Sequence, residues 1–195
     1  MPETGRNTLI ICGSPRIGNT QYLCEQIQEG LDHPSEILEI RRQSILACTG
    51  CLICNRGEPC NLDRKDRMDE LRAKIKAASC LVVGAPNYWD GVPGPLRTFI
   101  DRLNPLYAQV HSEGDANTDL VGKPFLRFMV GGRANEEFCL RNGLDGLSRH
   151  LRLKLIGSHY IQALNHRDLK DNPDRASAII ATMVSEINTA VAESK

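Results

Sequence analysis

Short apolar runs alternate with helix-like segments along the whole chain, and this alternation limits the fold more than any other feature. Five runs predict strands, at Thr8 to Cys12, Ser35 to Ile40, Cys80 to Ala85, Pro124 to Val130, and a fifth beginning at Leu155. The segments between and after them repeat apolar residues at helical spacing, up to a last helix predicted from Asp174 to about Glu193. Strands that alternate with helices predict an α/β fold with a doubly wound parallel sheet.

Composition and charge favour one domain with a small-molecule partner. The 195 residues are 41% hydrophobic, enough for one good core. Lys plus Arg and Asp plus Glu both number 24, so no net basic field favours nucleic acid or an anionic membrane. No run approaches the roughly 20 apolar residues of a membrane span. We therefore expect a single cytoplasmic domain over residues 1–195, in which cysteines stay reduced.

The loop after the first strand, "GSPRIGNT", has the composition of a phosphate-binding turn. It offers the hydroxyls and amide of Ser14, Asn19 and Thr20, the cation of Arg16, and a following helix that Asn19 or Thr20 can cap. It lacks both the Walker A ending and the three-glycine dinucleotide fingerprint, so a terminal monophosphate suits it better than a pyrophosphate. The alternative is an ordinary strand-to-helix turn.

Two later loops suit a planar ring. After the third strand, "PNYWDGVPGPL" places Tyr88 and the single tryptophan, Trp89, between a proline and a glycine. Aromatic rings on a stiff loop suit a flavin, while glycine lets backbone amides approach its polar edge. The alternative is that both rings cover the core or pack against another subunit. The "VGGRAN" turn after the fourth strand adds Gly131 and Gly132, a weak signal taken alone.

Four cysteines between the second strand and the next helix form the densest motif of the chain. Cys48, Cys51, Cys54 and Cys60 follow the spacing C-x2-C-x2-C-x5-C. A looping segment with this spacing can supply the four thiolates of a [4Fe-4S] cluster. Zinc, a redox-active dithiol and simple loop packing are the alternatives. The other four cysteines fall in predicted strands or helices, where we expect buried side chains: Cys12, Cys24, Cys80 and Cys139.

Two further segments carry predictions of their own. Asn104 to Lys123 contains no clear helical or strand pattern, and we interpret it as a long functional or interface loop. After the last clustered cysteine, basic residues separate Asp63 from Asp66. This stretch suits either a docking patch for an acidic electron carrier or a solvated helix start, and the helix start is the favoured interpretation.

With these loops in place, the chain resembles the flavodoxin-like NAD(P)H-dependent FMN reductase family, in particular its iron-sulfur flavoprotein branch. The resemblance runs from about Leu9 to Gly132 and rests on "GSPRIGNT", "CTGCLICNRGEPC" and "VVGAPNYWDGVPGPLRTFIDRL" in that order. It implies a five-stranded parallel sheet of order 2-1-3-4-5, NAD(P)H as co-substrate and a homodimer or homotetramer. It implies a [4Fe-4S] cluster on the four cysteines. It also implies an FMN held by Ser14, Arg16, Gly18, Asn19, Thr20, Pro86, Asn87, Tyr88, Trp89, Asp90, Gly91, Gly131 and Gly132.

Three functions follow as hypotheses. The first is an oxidoreductase that passes electrons from NAD(P)H through FMN to a small acceptor, such as a quinone, nitro compound, metal oxyanion or oxygen. The second is an electron carrier that exchanges electrons with a ferredoxin-like protein. The third is a mononucleotide-binding module with a structural zinc. No catalytic acid, base or nucleophile is evident from the sequence.

Overall fold

The strands in the described part of the chain form one five-stranded parallel sheet with the order β2-β1-β3-β4-β5. The computed structural model describes residues 6–112, 119–133 and 138–194. The strands are β1 (Thr8–Cys12), β2 (Ser35–Glu39), β3 (Cys80–Pro86), β4 (Pro124–Gly131) and β5 (Lys154–Gln162). The predicted α/β class and flavodoxin-like strand order are confirmed. Because every strand runs the same way, the loops that follow the strands all lie at one edge of the sheet.

Seven helices connect and cover these strands in the described residues. They are α1 (Asn19–Gly30), α2 (Met68–Ala77), α3 (Gly94–Asp101), α4 (Asn104–His111), α5 (Phe138–His150), α6 (Asp168–Asp171) and α7 (Asp174–Glu193). Single turns of 3-10 helix lie at Ile40–Arg42 and Ile53–Arg56. None of the helices in these described stretches combines the length and apolarity needed to cross a lipid bilayer.

The core has two layers, one on each face of the sheet. Alternate residues of β1 and β3 enter opposite layers, since a strand turns successive side chains to opposite faces. Leu9 and Val83 pack with α2 to α5, whereas Ile10 and Val82 pack with α1 and α7. Burial on both faces explains why the central strands are continuously apolar rather than alternating.

Two predictions about local structure differ from the fold. Asn104–His111 forms α4, so the first part of the predicted long loop is helical. Residues 113–118 of that loop lie outside the described residues, as does Glu136, at which the leucine spacing of the sequence predicts the next helix to begin. Gly18 occupies the position before α1, and no side chain caps that helix. Asn19 does not cap α1 because its side chain is bonded to another loop.

A buried lysine secures the end of α2. Lys123, just before β4, is 7% exposed, and its Nζ donates to the carbonyl oxygens of Ile75 at 2.9 Å and Lys76 at 2.7 Å. A cation is favourable against the carbonyls at a helix C-terminus. Burial nevertheless lowers the pKa of Lys123 to about 8. The contact therefore stabilises α2 at a cost in desolvation.

Candidate functional site

The loops after β1, β3, β4 and β5 enclose one pocket at the carboxyl edge of the sheet, with a volume of about 230 Å³. This sheet-edge pocket contains most of the residues predicted to bind FMN. Those that line it are Ser14, Arg16, Gly18, Asn19, Thr20, Pro86, Asn87, Tyr88, Gly131 and Gly132. Trp89, Asp90 and Gly91 belong to the same β3 loop and do not line it. Contact of all these residues with FMN stays a prediction.

The β1 loop brings a helix N-terminus and polar side chains to the pocket. Ser14 and Thr20 are buried, and the Ser14 hydroxyl donates to the carbonyl of Arg16 at 2.7 Å. Within α1, all of whose residues are described, the first turn carries no acidic side chain. The amides at such a helix end attract an anion. With the Arg16 cation beside them, these groups suit a phosphate.

The loop between β5 and α6 completes the wall beside the β1 loop. Asn19 Nδ2 donates to the carbonyl of Asn165 at 2.6 Å, and its Oδ1 accepts from the Leu169 amide at 3.0 Å. The Asn19 amide also donates to the carbonyl of His166 at 3.1 Å. Sequence reasoning missed the β5 loop, although its position at the carboxyl edge of the sheet was a signal for it.

Gly18 allows this close approach of the two loops. A Cβ at Gly18 would lie 2.7 Å from the carbonyl oxygen of His166, a distance that real Cβ atoms essentially never show. Because the opposing atom belongs to the backbone, it cannot swing away as a side chain would. Glycine at this position therefore holds the two walls of the pocket together.

The β3 loop forms a tight hairpin turn beside the pocket. Tyr88 and Gly91 exchange two backbone hydrogen bonds of 3.0 Å each, and Trp89 and Asp90 between them have positive φ angles of 51° and 59°. This is the pattern of a type I′ turn, which non-glycine residues rarely adopt. Tyr88 lies at the pocket, whereas Trp89 is fully exposed at the tip of the turn.

Side chains of β5 fix the glycine turn that ends β4. Tyr160 Oη donates to the carbonyl of Arg133 at 2.8 Å, and Gln162 Nε2 donates to the carbonyl of Gly132 at 3.1 Å. A Cβ at Gly131 would lie 2.1 Å from Tyr160 Oη and 3.2 Å from the Cβ of Asn87. Glycine is required here because strand β5 and the β3 loop both pack against this point.

The four clustered cysteines surround a second, smaller pocket. Cys48, Cys51, Cys54 and Cys60 all line it, together with Asp101, Arg102 and Asn104 from the corner between α3 and α4. We call this the cysteine pocket, and residues 48–60 the cysteine loop. Gly50, Leu52 and Gly57 have positive φ angles that turn the loop back on itself. Within the described part of the chain, no group of three or more His, Cys, Asp or Glu side chains converges tightly enough to hold a single metal ion.

Hydrogen-bond donors face the sulfur atoms of this loop. Asn104 Nδ2 lies 3.0 Å from Cys54 Sγ, and the Gly50 amide lies 3.5 Å from Cys48 Sγ. A hydrogen bond from the Ile53 amide lowers the pKa of the Cys51 thiol. Donors of this kind stabilise thiolates, which are the form that binds iron or zinc. The donor set of the cysteine pocket therefore fits a thiolate-ligated cluster.

Helix α3 connects the two pockets. It begins just after the β3 loop of the sheet-edge pocket and ends at Asp101, which lines the cysteine pocket. Its eight residues correspond to about 12 Å at 1.5 Å per residue. Leu96 and Phe99 bury one side of the helix in the core. A short rigid element therefore joins the two candidate sites.

The prediction for the remaining cysteines is confirmed, whereas the prediction for the stretch that contains Asp63 and Asp66 is wrong. Burial of the other four cysteines, Cys12, Cys24, Cys80 and Cys139, is confirmed. The interpretation of residues 63–66 as a solvated helix start is wrong for the two aspartates. Asp63 and Asp66 turn inward onto Arg102, whose side chain is 1% exposed, while Arg64 and Lys65 between them remain exposed.

Curated relatives with detectable similarity are iron-sulfur flavoproteins. One from Archaeoglobus fulgidus is 36% identical over 97 residues, which is 48% of this chain and 47% of the relative. Another from Methanocaldococcus jannaschii is 32% identical over 102 residues, 49% of this chain and 51% of the relative. The matches thus span about half the length of these curated relatives.

Solved structures and a family profile extend the comparison. An FMN-dependent NADH-azoreductase from Bacillus anthracis, solved in complex with FMN, superposes with a TM-score of 0.64 at 14% identity, covering 94% of this chain and 99% of that one. A flavodoxin, WrbA-like protein from Agrobacterium tumefaciens gives a TM-score of 0.61 at 16% identity, covering 97% and 99%. At such identities the likeness concerns the fold alone. The profile described as NADPH-dependent FMN reductase matches residues 7–165, which include the whole β1 loop, the cysteine loop and the β3 loop. The chain therefore belongs to the NADPH-dependent FMN reductase family.

Proposed function

We propose that this protein is an oxidoreductase that binds FMN in the sheet-edge pocket and passes electrons from NAD(P)H to a small acceptor. The observation that supports this proposal most directly is that the β1, β3 and β4 loops all line one pocket. The sequence of each of these loops independently has the composition of a phosphate-binding or ring-binding loop. Family membership supports FMN as the ligand.

The β1 loop is proposed to hold the phosphate. The first-turn amides of α1 and the Thr20 hydroxyl can donate to phosphate oxygens, and Arg16 adds a positive charge. The Ser14 hydroxyl can do so by exchanging its bond to the Arg16 carbonyl for one to the phosphate. Asn19 has a different role, because its side-chain amide is bonded to the β5 loop at Asn165 and to α6 at Leu169. It positions the phosphate loop rather than binding the ligand with its side chain.

The β3 and β4 loops are proposed to bind the ring. Tyr88 offers an apolar face at the pocket. Gly132, where a Cβ would meet only the Ala163 carbonyl oxygen at 4.0 Å, leaves room for the ligand to approach the backbone. Bound FMN supplies the redox chemistry, accepting a hydride from a nicotinamide and releasing electrons singly or in pairs. The protein's own part is to bind, orient and limit access of water.

We propose that Cys48, Cys51, Cys54 and Cys60 hold a [4Fe-4S] cluster. Support comes from their position around a common pocket and from donors that face their sulfur atoms. A bound cluster exchanges single electrons at a potential set by its charge, its hydrogen bonds and its exposure. Structural zinc on the same cysteines is the alternative, and metal analysis separates the two.

Exposure of the cysteine loop favours a second candidate function. Cys48 and Cys51 are exposed, so a cluster bound there would lie near the surface, where a redox protein can approach it. In that case the protein would exchange single electrons with a ferredoxin-like partner, and NAD(P)H would be a poor donor. The exposed Arg64 and Lys65 beside the loop suit an acidic partner of this kind.

We also propose that the protein assembles as a homodimer or homotetramer. The fully exposed Trp89 on its strained turn supports this assembly. Large exposed aromatic side chains are enriched where proteins contact one another. A neighbouring copy seated on the β3 loop would cover both Trp89 and the mouth of the sheet-edge pocket.

The deciding experiment starts from protein purified without oxygen. Its visible spectrum, its flavin after heat release, and its iron, sulfide and zinc contents are measured on one sample. FMN with comparable amounts of iron and sulfide supports the proposal, whereas zinc without flavin contradicts it. Steady-state assays then compare NADH, NADPH and a reduced ferredoxin as donors. Turnover with free acceptors identifies a reductase, and turnover only with reduced ferredoxin identifies a carrier.

A further inference from the structure

A buried arginine lies against the cysteine pocket. Arg102, the residue after α3, is 1% exposed and lines the pocket with the four cysteines. Its Nη1 donates to Asp66 Oδ2 at 2.6 Å and to the carbonyl of Leu46 at 2.9 Å. Its Nη2 donates to Asp63 Oδ1 at 3.0 Å and to Asp66 Oδ1 at 3.2 Å. Arg72 binds the other oxygen of Asp63 and reaches the Arg102 carbonyl, which completes the Arg102 network.

One nitrogen of Arg102 is left over. Its Nε is buried and has no hydrogen-bond partner among the described residues. An unpaired buried donor costs free energy, about 1 to 3 kcal/mol and more for a charged group, so such atoms call for an explanation. The other two nitrogens are fully used by carboxylates and a carbonyl, which hold the guanidinium in place. Because Arg102 lines the cysteine pocket, a ligand bound there can supply the missing partner.

Arg102 brings a positive charge to the lining of the pocket, where Asp63 and Asp66 are paired with it. Burial alone would lower the pKa of Arg102, but its hydrogen bond to Asp66 and the charges of Asp66, Cys60 and Asp63 raise it. The guanidinium is therefore a permanent cation beside the cysteine sulfurs. A cluster bound by four thiolates would carry a net negative charge, and each electron that it accepts would make that charge more negative. A nearby cation in a poorly solvated site stabilises the reduced form more than the oxidised form.

We propose that Arg102 donates a hydrogen bond through Nε to a sulfur atom of the ligand in the cysteine pocket, and that its charge raises the reduction potential of that ligand. This inference rests on the proposed [4Fe-4S] cluster. Asn104, two residues later, already donates to Cys54 Sγ from the same corner. The corner between α3 and α4 thus acts as a donor surface that sets the potential of the cluster.

The test compares Arg102→Gln with a matched control in the same network. Gln removes the charge, and we expect the ratio of reduced to oxidised cluster at a fixed solution potential to fall about tenfold, which equals about 59 mV for a one-electron couple. Arg102→Lys keeps the charge and should recover most of the shift. Arg72→Gln also loses a bond to Asp63, yet Arg72 does not line the pocket, and it should leave the ratio within about twofold of wild type. Potentials are measured by spectroelectrochemical titration, and iron and sulfide are assayed on every sample.

A measurement on the wild type covers the case in which Arg102→Gln does not fold. Arg102 is the only arginine among the described residues that line the pocket. Wild-type protein labelled with 15N at arginine Nε and reduced with dithionite should therefore show 15N hyperfine coupling to the cluster in pulsed electron paramagnetic resonance. Arg56→Lys, which removes the arginine inside the cysteine loop, should keep that coupling. No coupling, or an equal potential shift in Arg72→Gln, overturns the role of Arg102. Wild-type protein without iron and sulfide overturns the proposed cluster itself, so the two failures are distinct.

Discussion

Adding one methyl group at Gly18 tests whether the sheet-edge pocket is the FMN site. The new Cβ would lie 2.7 Å from the His166 carbonyl oxygen, which also accepts the Asn19 amide at 3.1 Å. To fit, the β1 and β5 loops must separate and that hydrogen bond lengthens or breaks. A net backbone hydrogen bond is worth about 0.5 to 1.5 kcal/mol, and displacement of the loop adds to it. We expect Gly18→Ala to weaken FMN binding by about 1 to 2 kcal/mol, a five- to thirty-fold rise in Kd.

The assay titrates FMN into protein stripped of flavin and follows the flavin fluorescence. The Kd values of wild type and variant are measured side by side. Gly94→Ala is the matched control, because a Cβ at Gly94 meets nothing within 4 Å and the residue lies outside the predicted FMN contacts. Thermal unfolding shows that each variant is folded before binding is compared. If Gly18→Ala binds FMN as wild type does, or if Gly94→Ala weakens binding equally, the assignment of the phosphate to the β1 loop is refuted.

Three further predictions concern other parts of the chain. In native protein from which bound metal has been removed, iodoacetamide should modify the cysteines of the cysteine loop and spare the four buried cysteines, as mapped by mass spectrometry. Burial raises the pKa of Cys80 to about 12, so rapid modification of Cys80 would contradict this prediction. Emission from Trp89 should match that of solvated tryptophan in dilute protein and shift to shorter wavelength as light scattering detects assembly, whereas an unchanged spectrum on assembly would place Trp89 outside the interface. Between pH 8 and 10.5 the unfolded chain keeps the Lys123 proton that the folded chain has lost, so the free energy of unfolding should rise with pH. The rise should reach up to roughly 3 kcal/mol, at about 1.36 kcal/mol per pKa unit. In urea denaturation that rise should be absent from Lys123→Met, and an equal rise in the variant would assign it to other groups.

Strands were predictable because the sheet is buried on both faces. A segment such as Cys80 to Ala85 is apolar throughout, and only a central strand of a doubly wound sheet requires that pattern. The predicted β1 and the last helix agree with the structure at both ends. Most loops that line the sheet-edge pocket could also be predicted, since the carboxyl edge of a parallel sheet is fixed by topology once the strands are known.

The missed elements depend on contacts between distant residues. Helix α4 was interpreted as loop, although Pro105 near its start and Leu106 and Val110 four residues apart were usable signals. The Arg102 network had no such signal. Asp63 and Asp66 look like surface residues in the sequence, and only the fold shows that α3 delivers a buried arginine to them from 36 or more residues away. The sequence pattern shows which residues are charged, but not which charged side chains pair in the folded protein.

The connection between β3 and β4 serves both candidate sites, and this determines how they are spaced. Its first residues form the β3 loop of the sheet-edge pocket, and its α3–α4 corner supplies Arg102 and Asn104 to the cysteine pocket. Helix α3 lies between, about 12 Å long and anchored by Leu96 and Phe99. The cysteine loop itself follows β2, at the far edge of the sheet, and packs on α4 only through tertiary contacts. Arg102 and Asn104 both lie on this connection, whereas the Gly50 amide that faces Cys48 Sγ belongs to the cysteine loop itself. The length of α3 therefore sets the distance between the α3–α4 corner and the sheet-edge pocket.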